Sequence, residues 1–174
     1  NCLMDKYIKI RSNTYYDLDG LIASNGKSKK KFVKKFLNDN YFKLNYPKSL
    51  DKNYFNNFLY LFLQDELSVA DGMATLLDCT VETIKQSLKI LPKKPRVLMI
   101  VGGGFNNKFL IKQIKNKIDI PLLNPKKTNI SFNFIESELM ALLGARRLNN
   151  LPITFPLTTG VYKPISGGEI YNYK

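Results

Sequence analysis

The stretch "RVLMIVGGGFNNKFLIKQI", residues Arg96–Ile114, places three consecutive glycines between an apolar run and a segment with helical spacing. The apolar run predicts a continuous strand of the type that is buried on both faces. Phe109 and Leu110 recur with Ile114 on one side of a predicted helix over Asn107–Lys117. Since a strand, a glycine turn and a helix follow one another, we expect an α/β unit.

The chemistry of the glycine turn leaves two interpretations open. Glycine lacks Cβ, so the backbone can approach a ligand closely or adopt a positive φ. The N–H groups that begin the following helix attract polar and anionic groups, and Asn106 or Asn107 could cap that helix. The spacing fits neither the dinucleotide fingerprint nor the P-loop motif. The local sequence is therefore consistent with a nucleotide site and with a turn that needs glycine for steric reasons.

Most of the remaining chain has helical periodicity. The longest predicted helix covers Ser68–Leu91, where apolar residues recur at three- and four-residue steps until Pro92 and Pro95. We expect shorter helices at residues 1–10, 28–38, 53–64 and 134–150, a short second strand at 118–123 and a loop at 124–133. The tail, residues 151–171, predicts an ordered loop with a terminal strand. No internal repeat or low-complexity linker is visible, so we predict one unit.

The strongly basic composition also has two interpretations. The formal net charge is +13, and the densest basic run is "KSKKKFVKK" at Lys27–Lys35. A basic run can mark a nucleic-acid or anionic-surface site, but it can equally be the solvated face of an amphipathic helix. We favour the second interpretation, with Phe32, Val33 and Phe36 turned inward, because the positive charge is spread along the chain and is not clustered with stacking aromatics.

The composition excludes several classes of site. The chain contains no histidine, and its two cysteines, Cys2 and Cys79, lie far apart. A zinc site built on histidine or Cys-x-x-Cys, and a histidine relay carried by this chain alone, are therefore excluded. No apolar run approaches the roughly 18 residues that a membrane span needs. We predict a cytoplasmic protein with no membrane partner.

Several shorter motifs carry polar groups whose role is ambiguous from the sequence. Lys48 and Ser49 offer a cation and a hydroxyl in a loop, and Thr158–Gly160 offers two hydroxyls, although either stretch is more typical of a plain turn than of a site. Glu136 opens a predicted helix, where a carboxylate is favourable near the N-terminal dipole. Three further carboxylates have no partner visible in the sequence: Asp5, Asp17 and Asp19.

The order of these pieces resembles the anhydro-N-acetylmuramic acid kinases, which are peptidoglycan-recycling enzymes with an actin-like fold. The similarity runs through seven collinear segments: Asn1–Asp5, Tyr16–Gly26, Tyr41–Phe42, Pro47–Phe55, Ala74–Ile84, Val101–Leu110 and Ile135–Val161. The sequence "VGGGFNNKFL" matches the family's Gly-Gly-Gly-x-x-Asn-x-x-Leu, which aligns Asn107 with the family asparagine. Departures include Leu50–Asp51 in place of the family's Thr-Gly, and Met140 where an aromatic is usual.

The resemblance implies a fold and a domain organisation. Residues 1–174 would form the second, C-terminal lobe of an actin-like ATPase (ribonuclease H-like) fold, with a mixed sheet flanked by helices. The N-terminal lobe would be absent from this chain, in keeping with a first residue that is Asn and not Met. The family's catalytic aspartate is expected just upstream of Asn1, so we assign no catalytic residue within the chain.

The resemblance also implies an activity. The full enzyme would use ATP and Mg²⁺ to open the 1,6-anhydro ring of anhydro-N-acetylmuramic acid with water and to phosphorylate O6, which gives N-acetylmuramic acid 6-phosphate. Candidate nucleotide-binding residues are Gly102, Gly103, Gly104, Asn107 and Glu136. Candidate sugar-binding residues are Lys48 and Ser49, and we assign no metal ligand.

The predicted partners are ATP, the anhydro sugar and the N-terminal lobe of the same protein, and a homodimer is left open. We expect no nucleic-acid partner. The alternatives are another sugar kinase or ATPase lobe of the actin-like superfamily, or a basic nucleic-acid-binding module.

Overall fold

The structure, a computed structural model, describes residues 1–124, 128, 132 and 134–172. Within those residues the chain is built mainly from helices: α1 (Cys2–Ser12), α2 (Leu21–Ser24), α3 (Lys30–Leu37), α4 (Asn56–Leu63), α5 (Val69–Lys89), α6 (Lys108–Lys117), α7 (Ile135–Leu148) and α8 (Pro156–Thr159). Short 3-10 turns occur at Leu18–Gly20, Asn40–Lys43 and Gly102–Asn106. All of the longer helices predicted from periodicity are confirmed, with small shifts at their ends. None of the described helices is long and apolar enough to cross a membrane.

The core is organised around α5. Residues 72–79 and Val81 are all buried, which is the pattern of a helix that is enclosed on several sides. Helices α1, α2, α3 and α6 pack against it. Ser68 begins α5 as a capping residue, because its side chain accepts a hydrogen bond from the Asp71 N–H at 3.1 Å.

A second cluster of aromatic rings joins α3 to α4. The Phe36 ring lies with its centroid 4.5 Å from that of Phe55, 4.8 Å from Phe58 and 5.3 Å from Phe42. Tilted and edge-on ring pairs at these separations contribute about 0.5–1.5 kcal/mol beyond the area that they bury. The cluster therefore fixes α4 against the basic helix α3.

The basic run at Lys27–Lys35 is the solvated face of α3, as predicted. Phe32, Val33 and Phe36 are buried on its inner side. Three of its lysines form ion pairs within the chain: Lys29 with Asp71 (2.7 Å), Lys30 with Asp78 (2.9 Å) and Lys31 with Asp65 (3.5 Å). The run thus has a structural role within the fold.

The expectation that residues 96–101 form a strand buried on both faces is wrong. Leu98 makes a single parallel bridge to Leu122, in which the Leu98 N–H donates to Pro121 O (2.9 Å) and the Leu123 N–H donates to Leu98 O (2.7 Å). Val97 and Met99 are 43% and 40% exposed. In the part of the chain that the structure describes, one neighbour pairs with this segment, so its alternate side chains remain open to solvent.

The C-terminal tail also differs from its prediction. In place of a terminal strand, the described residues show one antiparallel bridge between Thr154 and Ile165. The short helix α8, which was not predicted, begins at Pro156, where the fixed φ of proline suits a first helical position. Most of the loop predicted at 124–133 lies outside the described residues.

Gly26 allows α2 to approach α5 closely. A Cβ on Gly26 would overlap the carbonyl oxygen of Ala70, a backbone atom that cannot rotate away. We expect Gly26→Ala to lower the free energy of unfolding by about 1–3 kcal/mol. The matched control is Gly144→Ala in α7, where an added Cβ meets no atom within 4 Å, so stability should rise by up to about 1 kcal/mol. Urea unfolding measures both, and equal effects would contradict this packing.

A buried charge network ties α5 to α3 and α6. Asp78 is 5% exposed and accepts hydrogen bonds from Ser28 Oγ (2.6 Å), Lys30 Nζ (2.9 Å) and Lys117 Nζ. Burial alone would raise the pKa of Asp78, but the hydrogen bonds from Lys117, Ser28 and Lys30 outweigh it and lower that pKa below its usual value. Lys117 also contacts Glu82 at 3.0 Å.

The network predicts a specific pH dependence of stability. Because the pKa of Asp78 is lower in the folded chain than in the unfolded one, its contribution is complete above the unfolded value of about 3.9 and is lost as pH falls below it. Asp78→Asn should cost about 1–3 kcal/mol at pH 7, and much less at pH 3. Asp65→Asn, which breaks an exposed pair with Lys31, should cost about 0–1 kcal/mol. A cost of Asp78→Asn that stays constant with pH, measured by urea unfolding, would contradict the assignment.

Candidate functional site

A cavity of about 480 Å³ opens where three segments that are distant in the sequence meet. The first wall is the beginning of α1, the second is the segment Tyr16–Asp19, and the third is the glycine turn with the beginning of α6. The lining residues are Asn1, Met4, Asp5, Tyr16, Asp17, Leu18, Asp19, Gly103, Gly104, Asn106, Asn107 and Leu110. Its volume falls within the range of about 300–1,000 Å³ that is typical of small-molecule sites.

Gly102 shapes the turn and does not line the cavity. Its φ is +68°, a left-handed conformation that glycine adopts without steric cost. Its N–H donates to Phe132 O at 2.9 Å. A Cβ on Gly102 would lie 3.2 Å from Glu136 Oε1, which places this exposed carboxylate beside the turn. The fold itself therefore explains the glycine at position 102.

Gly103 has no comparable explanation within the fold. Its φ is not in the left-handed region, and a Cβ built on it would meet no atom within 4 Å. It nevertheless lies on the cavity wall, next to Gly104. A side chain at position 103 would therefore extend into open space and strike no other residue, so the fold itself does not require glycine there.

Of the two candidates Asn106 and Asn107, Asn107 is the capping residue of α6. Its Oδ1 accepts a hydrogen bond from the Leu110 N–H at 2.8 Å. Asn107 lines the cavity, and its amide nitrogen has no hydrogen-bond partner among the described residues. The cap therefore fixes the side chain while leaving a hydrogen-bond donor for a ligand.

The second wall is held by its own carboxylate. Asp17 is 7% exposed and accepts hydrogen bonds from the N–H groups of Ile22 (2.8 Å) and Ala23 (3.0 Å), so both of its oxygens serve the first turn of α2. The Lys108 ammonium forms an ion pair with Asp19, with Nζ and Oδ2 2.6 Å apart. Among the three carboxylates of the cavity, Asp17 thus has a structural role. The side chains of Asp5 and Asp19 are 50% and 33% exposed to solvent.

Lys48 and Ser49 lie in a different part of the surface. The Lys48 ammonium donates to the carbonyl oxygens of Tyr41 (3.0 Å) and Leu44 (3.3 Å) and sits 4.5 Å from the Tyr41 ring centroid. Ser49 is exposed. The loop that carries them adjoins α8, since Tyr46 Oη donates to Leu157 O at 2.7 Å. Neither predicted sugar-binding residue lines the cavity.

The structure thus brings Gly103, Gly104 and Asn107 together on one wall of the cavity. Gly102 and Glu136 are adjacent to that wall but do not line the cavity. The sequence did not indicate that Tyr16 and Leu18 line the site, and it did not show which groups lie near Asp5 or Asp19. More than 80 residues separate them from the glycines along the chain, so no local motif could have joined them. In the described residues, no group of three or more carboxylates or thiols is placed to hold a metal ion.

Comparison with known proteins identifies a family. The family model described as anhydro-N-acetylmuramic acid kinase matches residues 1–173. Curated relatives of that name include a protein of Zymomonas mobilis subsp. mobilis, 33% identical over 98% of this chain and 46% of its own length. Another, from Hydrogenovibrio crunogenus, is 34% identical over 99% of this chain and 48% of its own length.

A third relative of the same name, from Nitrobacter winogradskyi, is 33% identical over 98% of this chain and 46% of its own length. The chain therefore spans about half the length of the curated relatives that it matches. The matched residues, 1–173, nevertheless include every residue that lines the cavity. The chain belongs to the anhydro-N-acetylmuramic acid kinase family.

Proposed function

We propose that this chain is the C-terminal lobe of an ATP-dependent anhydro-N-acetylmuramic acid kinase and that its cavity holds the adenosine part of ATP. The proposal rests on family membership together with one structural observation. Gly103 lines the cavity but has neither a positive φ nor a neighbour that a side chain would strike. Close approach of a ligand to the backbone would account for a glycine at that position.

The remaining cavity groups suit a nucleoside. The Asn107 amide nitrogen is a donor, and the exposed ring of Tyr16 offers an apolar face for a base. The carboxylate of Asp5 can accept hydrogen bonds from hydroxyl groups, whereas carboxylates in the cavity would repel phosphate oxygens. We therefore assign the nucleoside to this cavity and the phosphates to the region beyond the glycine turn.

The reaction that we propose for the two-lobed protein combines hydrolysis with phosphoryl transfer. Water adds to C1 of the sugar and loses a proton to a carboxylate, for which the family implies an aspartate just upstream of Asn1. The C1–O6 bond breaks, and O6 attacks the γ-phosphorus of ATP, so that ADP leaves. Such a transfer depends chiefly on positioning and on charge stabilisation, which Mg²⁺ on the phosphates supplies when it is bound.

The lobe described above contributes binding and orientation to this reaction. Gly103 and Gly104 leave space for the nucleotide, and Asn107 holds it through the amide that its capping bond keeps in place. We assign no residue of this chain to Mg²⁺. A sugar contact by Lys48 and Ser49 stays a prediction, and it requires the N-terminal lobe to reach the loop beside α8.

The finer architecture also belongs to the proposal. The family implies an actin-like sugar-kinase fold. We infer that residues 96–101 and 118–123 belong to the mixed sheet of such a lobe, because the Leu98–Leu122 bridge is parallel and immediately precedes the glycine turn. The N-terminal lobe is the partner that we expect.

Substitution of neighbouring glycines separates a role in binding from a role in the fold. Gly103→Val should weaken ATP binding to the two-lobed protein at least tenfold, because its side chain would fill space in the cavity, and should change the free energy of unfolding by less than about 1 kcal/mol. Gly102→Val should instead lower stability by about 1–3 kcal/mol, because valine at a positive φ is strained. Calorimetric titration and urea unfolding measure the two effects. Unchanged ATP affinity in Gly103→Val would make the stretch a plain turn.

The activity itself is tested with the two-lobed protein, ATP, Mg²⁺ and 1,6-anhydro-N-acetylmuramic acid. We expect ADP and N-acetylmuramic acid 6-phosphate in equal amounts, and incorporation of one ¹⁸O atom at C1 when the reaction runs in labelled water. Phosphorylation of N-acetylmuramic acid alone, without the anhydro sugar as a substrate, would refute the ring-opening step.

A further inference from the structure

We propose that Asp19 and Lys108 form a positioning pair that holds two walls of the cavity at the separation required for the nucleoside. The inference rests on the proposed function, since it concerns the same cavity. Asp19 belongs to the second wall and Lys108 is the first residue of α6, directly after Asn107. Their ion pair, with Nζ and Oδ2 2.6 Å apart, joins segments separated by 89 residues in the chain.

The turn that carries Asp19 is pressed against the beginning of α6. Gly20, the next residue, has a φ of +76°, and a Cβ on it would overlap Asn107 Oδ1 and approach Phe109 Cβ to 2.6 Å. The second wall therefore touches Asn107, which lines the third wall of the cavity. Any shift of this turn away from α6 would widen the cavity and remove the contact that confines Asn107.

The backbone of this turn does not favour its position by itself. Asp19 has a φ of +56°, which is left-handed and uncommon for a residue with a side chain, although aspartate and asparagine tolerate it better than most. Asp-Gly is one of the pairs that most readily adopt two consecutive positive φ values, so the turn can form by itself. The ion pair between Lys108 and the Asp19 carboxylate then fixes where this turn lies relative to α6.

The pair is a feature of this chain and not of the motifs that carry the family resemblance. Asp19 falls on an unspecified position of Tyr-Asp-x-x-Gly, and Lys108 falls on an unspecified position of Gly-Gly-Gly-x-x-Asn-x-x-Leu. Both side chains keep contact with solvent, with 33% and 81% of their areas exposed. An exposed pair adds little to global stability, so its main consequence is the local alignment of the two walls.

The test is a double-mutant cycle in the two-lobed protein, with ATP and adenosine as probes. Asp19→Asn removes the charge while keeping a side chain that tolerates a positive φ, and Lys108→Met removes the ammonium. We expect each variant to raise the Kd of both probes about three- to fivefold. The double variant should raise Kd no further than either single one, because the first substitution already breaks the pair. Lys108→Arg should retain wild-type affinity, and in the other variants the KM for ATP should rise by about the same factor as Kd.

The control is the pair Lys31–Asp65, which is also exposed but lies on α3 and in the segment that precedes α5. Lys31→Met and Asp65→Asn should leave both Kd values unchanged. Unfolding midpoints should shift equally little for the two pairs, which separates alignment of the cavity from general stability.

Several results would overturn the inference. Multiplying effects in the double variant would mean that the residues act independently. A loss confined to ATP, with adenosine binding intact, would make Lys108 a phosphate ligand. A loss in Asp19→Asn alone would make Asp19 a direct nucleoside contact. If the wild-type protein bound neither probe, the proposed function and the positioning pair would both fall, whereas normal binding without any effect of these variants would remove only the pair.

Discussion

The enclosure of α5 by four other helices is the constraint on which the rest of the structure depends. Helices α1, α2 and α6 each pack against it, and the cavity is formed by the beginnings of α1 and α6 and the turn before α2. Close approach is possible because glycines replace side chains at the contacts. A Cβ on Gly72 would overlap the buried Tyr7 hydroxyl, and Gly26 touches the backbone of α5. The position of the cavity walls is therefore a consequence of core packing.

The charges of this basic chain serve two separate purposes. Lysines of α3 and α6 pair with carboxylates that project from α5, and Asp78 is the most buried of these. The cavity is lined by carboxylates, although the net charge is +13. A strongly positive total therefore says little about the potential inside the site. It is also the reason that composition alone left a nucleic-acid partner open.

Features that depend on residues close together in the sequence, such as helices and caps, could be predicted. Features that depend on packing between distant segments could not. The periodicity of residues 68–91 predicted α5, and the asparagines after the glycines predicted the cap of α6. The apolar run before the glycines was wrongly expected to be buried on both faces, because composition cannot show how many neighbours will pair with a strand. The cavity could be predicted only on its glycine wall. Tyr16 and Asp19 join it through contacts across the fold, and no spacing rule connects them to Gly103.

Amide hydrogen exchange of the two-lobed protein, with and without a non-hydrolysable ATP analogue, tests the central claim most directly. If the cavity holds the nucleoside, the analogue should slow exchange at residues 16–20 and 103–108 together, since both walls contact the same ligand. Exchange at Lys85–Lys89, on the far end of α5, should not change. Protection confined to the loop at Lys48 and Ser49, with both walls of the cavity unaffected, would contradict the account.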